Sequence, residues 1–191
     1  MKTHARETIG GTFAVVACFA LFYLTTAFSL GYGVTALGYD RQTFLGVLLV
    51  AILFMAAGIV WAGYWSDAAS PRRVLMAGSL LTIVAGAALA PMMGSGSLWV
   101  IGVFLSLALV VMGLVYGPLG AWLPSLFPAR VRYTGSSIAF NVGGVIGGGL
   151  TAAIAQALAT HGGLKLVGLY LAAAGAISLL ALWPLKRADA L

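Results

Sequence analysis

The stretch Gly46-Val-Leu-Leu-Val-Ala-Ile-Leu-Phe-Met-Ala-Ala-Gly-Ile-Val-Trp-Ala-Gly63 contains no charged residue and no alternation of apolar with polar positions. A hydrocarbon core about 30 Å thick needs about 20 predominantly apolar residues in a helix to cross it. A membrane β-strand would alternate in character over about ten positions, and this run does not. The whole chain repeats the pattern. Of its 191 residues 62% are hydrophobic and 7% charged, against about a quarter charged in soluble domains. Disordered, collagen-like, coiled-coil and disulfide-framework classes are excluded together, and an all-α integral membrane protein is left.

Six segments fit between the charged positions: Phe13–Leu37, Phe44–Ser66, Val74–Met93, Leu98–Leu126, Ser136–Ala159 and Leu166–Leu185. Residues 1–11 read as a cytoplasmic, linker-like N-terminus, and the whole of 1–191 as one six-helix membrane domain. The connections are short, Gly94-Ser95-Gly96-Ser97 between the third and fourth spans and Thr160 to Lys165 between the last two. Orientation follows from the basic residues. Lys2, Arg6, Arg72, Arg73, Arg130, Arg132, Lys186 and Arg187 fall on the side of the termini, while Arg41 and Lys165 fall on the other. The positive-inside bias then places both termini in the cytoplasm of a multi-pass inner-membrane protein. Topology also accounts for the +6 net charge, so no nucleic-acid partner is expected; the lipid bilayer is.

Several chemistries lack their residues. Cys18 is the single cysteine and His4 and His161 are the two histidines, too few for a zinc site; neither metal nor cofactor is expected. Glu7, Asp40, Asp67 and Asp189 all fall at span ends or in loops, so no carboxylate is offered at mid-membrane, where such a group marks an ion path or proton relay. The element Gly135-Ser136-Ser137 matches the start of an intramembrane serine protease site, but a serine nucleophile needs a histidine base. The last span has none and His161 lies at the opposite end. The chain is expected not to be an enzyme.

Two stretches carry a resemblance. Gly63-Tyr64-Trp65-Ser66-Asp67 followed by Pro71-Arg72-Arg73 resembles the short cytoplasmic loop motif of the major facilitator superfamily: Gly63, Asp67 and Arg72 match, while Ala68, Ser70 and Pro71 depart from it. Tyr116-Gly117-Pro118-Leu119-Gly120-Ala121-Trp122, then Phe127-Pro128-Ala129-Arg130-Val131-Arg132-Tyr133-Thr134-Gly135, then Asn141 to Gly149 resembles the tenth and eleventh helices of its metabolite:proton symporter branch. That branch includes carriers for shikimate, 2-oxoglutarate, citrate and proline or betaine. The resemblance implies the C-terminal six-helix half of a twelve-span carrier, built as a 3+3 inverted repeat, with a small-molecule substrate. It also implies proton coupling through a carboxylate in an N-terminal half outside this chain. The partner is then that half or a second copy. An inactive transporter fragment and a self-dimerising six-helix protein, structural or carrier, stand as alternatives.

In the fold so implied, the first and fourth helices of each half line the cavity, the second and fifth flank it, and the third and sixth face lipid. Cys18, Phe22, Thr25, Ser29 and Tyr32 recur at spacings of four, three, four and three, one helical stripe with Tyr23 and Thr26 beside it. Hydroxyls and aromatic rings can bind a carboxylate or hydroxyl substrate, or can satisfy their own helix. Tyr116, beside Pro118 and an expected kink, and Asn141, an amide that needs partners in hydrocarbon, are further cavity candidates. Asn141, Gly144 and Gly148 share a face on an ideal helix, and Gln156 lies about 22 Å beyond Asn141, nearer an outer gate. Gly63, Asp67, Arg72, Arg73, Arg130 and Arg132 form the candidate cytoplasmic gate, with Asp67 pairing to an arginine or to the fifth helix's N-terminus.

Overall fold

The computed structural model describes residues 4–185. Lys2, Lys186, Arg187 and Asp189 lie outside the described residues. Among the described residues there are five long apolar helical stretches: α1 (Ala5–Thr35), α2 (Arg41–Ala68), α3 (Pro71–Met93), α4 (Leu98–Trp122) and α5 (Ala129–Leu182). Stretches this long and apolar suit a multi-pass membrane protein. The last one leaves helical geometry at Gly163 (φ 69°, ψ −174°), which divides it into a first limb, 132–162, and a second limb, 164–182. A φ of that sign suits glycine, which has no Cβ to clash.

Local chemistry sets the boundaries. At the start of α2 the Asp40 carboxylate accepts from the Thr43 N–H at 2.9 Å. Ser70 does the same at α3, accepting from the Arg73 N–H, with Pro71 in the first turn where its missing donor costs nothing. The turns before α2 and α4 contain Gly38 (φ 73°) and Gly96 (φ 71°), and the Tyr39 hydroxyl donates to the Gly96 carbonyl across them. At the other end, Arg72 donates to the carbonyls of Leu182 (3.1 Å) and Trp183 (2.5 Å), and Arg6 to that of Pro184 (3.2 Å). Two guanidinium groups therefore cap the negative end of the second α5 limb, and they gather the starts of α1 and α3 beside its finish.

Glycine decides which helices touch. A Cβ placed on Gly113 would lie 2.6 Å from the Met55 carbonyl oxygen, and one on Gly58 2.7 Å from that of Val110, so α2 and α4 meet backbone to backbone, running parallel. The first α5 limb packs on α1, also parallel: a Cβ on Gly147 would lie 2.6 Å from the Val16 oxygen, and one on Gly143 2.6 Å from that of Thr12. The second limb packs antiparallel on α3, with Gly168 facing Gly86 and Gly175 facing Ser79. The α3–α4 and α1–second-limb contacts complete the main packing.

Several boundaries differ from the sequence reading. Helix begins at Ala5, so the expected linker is mostly the first turns of α1, where Gly11 fits against Leu123 and Ala139. The fourth span ends as an α-helix at Trp122 and continues in a 3-10 turn, Pro124–Leu126; Pro118 lies within it without ending it. The loop expected at Thr160–Lys165 is reduced to the break at Gly163.

Candidate functional site

α1 is not one continuous α-helix. It steps out of register at Val15 and passes through a π turn, Leu24–Phe28; the first α5 limb has a matching π turn at Val145–Gly149. A π turn inserts a residue into the helical repeat, and such turns frequently mark functional sites. Most of the α1 stripe is buried. Thr25 and Ser29 are 1% and 2% exposed and satisfy their own helix, Thr25 donating to the Leu21 carbonyl at 2.7 Å and Ser29 to that of Leu24, five residues back, at 2.7 Å. Cys18 is buried with them. The expected single cavity-facing stripe is therefore corrected: Cys18, Thr25 and Ser29 all point into the bundle, because this face of α1 packs against α4 and α5.

Tyr23 lies on the open side of α1, with its ring over Gly148 of the π turn in α5. Thr26 is half-buried and donates to the Phe22 carbonyl at 2.5 Å. Tyr32 stacks on Phe28 with ring centroids 5.5 Å apart. These side chains share the helix without forming one cluster. Gln156 is exposed further along the first α5 limb, well away from Asn141.

Tyr116 and Asn141 are brought together. They line a cavity of about 390 Å³ between α4 and the first α5 limb, with Gly120, Ser136, Ser137 and Phe140 around them. Tyr116 is 44% exposed. The Asn141 amide N–H donates to the Ser137 carbonyl at 2.8 Å, which fixes its amide and leaves the oxygen as acceptor. Ser136 donates to the Arg132 carbonyl at 2.7 Å. The cavity therefore carries neutral hydrogen-bonding groups and an aromatic wall and no charged lining residue, a chemistry that suits a small polar metabolite. Gly144 and Gly148, expected on the Asn141 face, turn instead to Phe19 and Tyr23 of α1. Ser136 and Ser137 join the cavity through the α4–α5 packing, and nothing in the sequence shows which helix faces them.

The expected gate is arranged differently. Asp67 is exposed, and no arginine or lysine pairs with a carboxylate among the described residues; His4 Nδ1 lies 4.0 Å from Glu7. Arg72 is engaged with the end of the second α5 limb, Arg132 donates to the Phe127 carbonyl at 3.3 Å, and Arg73 and Arg130 are exposed. Gly63 is exposed on α2 with open space at its Cα. The carbonyls at a helix end compete for Arg72 because their partial negative charge is fixed in place, whereas an exposed carboxylate keeps its water.

Fold and site together define an all-helical multi-pass membrane protein with a largely apolar cavity that presents the hydrogen-bonding side chains of Tyr116, Ser136, Ser137 and Asn141. No family model matches the chain, and no solved structure matches it. It is 39% identical over 187 residues to the inner membrane metabolite transport protein YhjE of Escherichia coli K12, covering 95% of this chain and 42% of that one. A putative metabolite transport protein of Haemophilus influenzae is 33% identical over 195 residues, covering 96% and 44%. The shikimate transporter of Escherichia coli K12 is 30% identical over 159 residues, covering 82% and 36%. The chain belongs to this family of metabolite transport proteins, the metabolite:proton symporter branch of the major facilitator superfamily. It spans less than half the length of the relatives it matches.

Proposed function

We propose that this chain is the C-terminal, six-span half of an inner-membrane carrier that moves a small organic acid or zwitterion by alternating access. The observation that carries the reading is the cavity joining Tyr116 to Asn141, in a chain whose relatives are metabolite transporters. The break at Gly163 supports a count of six, each α5 limb serving as one span. The pairing pattern supports the inverted repeat. Exchanging the first span with the fourth, the second with the fifth and the third with the sixth turns the α1–first-limb pair into the α4–α2 pair. The same exchange maps α3–second limb onto itself and α3–α4 onto second limb–α1. Arg6, Arg72, Arg73, Arg130 and Arg132 gather at one end of the bundle and Arg41 and Lys165 at the other, which supports cytoplasmic termini.

Proton coupling belongs to the complete carrier. Glu7 sits in the first turn of α1, and Asp40 and Asp67 at the two ends of α2, so a mid-membrane carboxylate would come from the other half. A citrate–proton symporter among the relatives, 31% identical over 164 residues, supports the proton as the coupling ion.

The test is uptake of organic acids and zwitterions into proteoliposomes, with and without the N-terminal half of a related carrier. Uptake by the paired halves and its loss with a protonophore are expected. Uptake by this chain alone would point to a self-dimerising carrier, and no uptake in either case to an inactive fragment. In the paired system Asn141→Ala should raise the KM about tenfold, the worth of one well-made hydrogen bond, at unchanged membrane yield. An unchanged KM removes Asn141 from the site.

A further inference from the structure

In a continuous helix the Ala17 N–H would donate to the Phe13 carbonyl. Here the hydroxyl of Ser178, from the second α5 limb, stands between them. The Ala17 N–H donates to Ser178 Oγ at 2.9 Å, and the Ser178 O–H donates to the Phe13 carbonyl at 2.8 Å. The insertion coincides with the step in α1 at Val15 (φ −90°, ψ −8°). Ser178 is 0% exposed, so no solvent competes for it.

A hydroxyl has one donor and two acceptor lone pairs, enough to replace the single backbone bond that an opened turn gives up. In hydrocarbon such freed groups must find a partner within the protein. The two buried hydroxyls of α3 behave in the ordinary way: Ser79 donates to the Leu75 carbonyl and Thr82 to that of Gly78, each four residues back on its own helix. Ser178 instead spends both bonds on another helix. The same limb reaches the other interrupted helix. The Thr151 hydroxyl donates to the Gly147 carbonyl in the α5 π turn. With its hydrogen so used, Thr151 Oγ1 must accept from the Tyr170 hydroxyl at 2.8 Å. Ser178 and Tyr170 lie eight residues apart, about 12 Å along the limb.

We propose that Ser178 is a positioning residue: its hydroxyl holds the α1 ladder open at Val15 and so sets the angle between residues 5–14 and 16–35 while α1 and the first α5 limb rearrange during transport. The transport part rests on the carrier reading above; the opened turn itself does not. Sharp helix bends occur where a side chain or water enters the i→i−4 ladder, and here the entering group is identified.

The experiment uses the full chain in lipid, with Cys18→Ala to remove the single cysteine and spin labels placed at Ile9→Cys and Leu53→Cys, both exposed positions. A second pair, Leu53→Cys with Leu107→Cys, reports on α2 and α4 alone. Ser178→Ala should shift or broaden the 9–53 distance distribution, leave 53–107 unchanged, and lower turnover of the paired halves several-fold at constant KM. Ser178→Thr, which keeps the hydroxyl, should match the parent in all three. Ser178→Gly gives the same deletion should the alanine variant not accumulate. An unchanged 9–53 distance on losing the hydroxyl, or an equal shift in Ser178→Thr, overturns the proposal. Absence of uptake in the parent would count against the carrier reading only, since the distances decide the role of Ser178 without it.

Discussion

Two parallel helix pairs in this molecule are joined by the same device, one through continuous helices and the other through interrupted ones. α2 and α4 run 28 and 25 residues without a break, and Gly58 and Gly113 place backbone against backbone between them. α1 and the first α5 limb also meet at glycines, Gly143 and Gly147, yet α1 is broken at Val15 and both carry a π turn. Hydroxyls of Ser29, Thr151 and Ser178 occupy the backbone groups those interruptions free. Close glycine packing therefore occurs with both continuous and interrupted helices. The α2 ladder is continuous and α4 gives up one bond at Pro118, whereas the other pair hands several freed backbone groups to side chains. Under the inverted-repeat reading the two pairs are counterparts, one continuous and the other interrupted.

Gly113→Ala puts that contrast to its hardest test. The added methyl meets the Met55 oxygen and the Ile59 nitrogen at 2.6 and 2.7 Å, both backbone atoms of an uninterrupted helix, so a loss near 3 kcal/mol, the upper part of the overpacking range, is expected in a denaturant titration. Gly147→Ala meets the Val16 oxygen at a similar 2.6 Å, but the neighbouring turns can shift, and about 1 kcal/mol is expected. Equal losses would break the comparison. Arg72→Ala removes the donors that cap the second limb and should cost about 0.5–1 kcal/mol, with Arg72→Lys recovering part of it; no change in either would show that Arg6 alone suffices as the cap.

The smallest effect belongs to Asp40. The Thr43 N–H donates to its carboxylate and holds the pKa below the ordinary aspartate value. A group lowered in the folded state contributes stability above its unfolded pKa, near 3.9, and loses it as pH falls through the folded value. A slight decline in thermal midpoint below about pH 4 should therefore vanish in Asp40→Asn. A decline of the same size in the variant would assign it to another carboxylate.

The span cores were legible because a hydrocarbon interior admits few sequences, and runs such as residues 46–63 fit almost nothing else. The helix ends were read less well. Gly10 and Gly11 looked like linker and proved to be helix, since the close approach of Leu185 and Leu123 that they permit is a tertiary contact. Tyr116 was a candidate for its place beside Pro118 and Asn141 for its amide in an apolar span, and the α4–α5 packing brings the two around one cavity. The α1 stripe misled because periodicity groups residues on one face without showing whether that face meets a cavity or the bundle, and Cys18, Thr25 and Ser29 meet the bundle.

The sequence by itself determined the membrane class, the approximate spans, the asymmetry of positive charge and the family resemblance, all of which follow from transfer energy and local spacing. Tertiary structure alone decided which hydroxyls serve their own helix and which serve a neighbour's. Ser79 and Ser178 are the same residue in similarly apolar surroundings, yet one closes on the carbonyl four residues back and the other bridges a gap in a helix 161 residues away. A hydroxyl takes whichever unpaired backbone group lies within reach, and reach is set by packing.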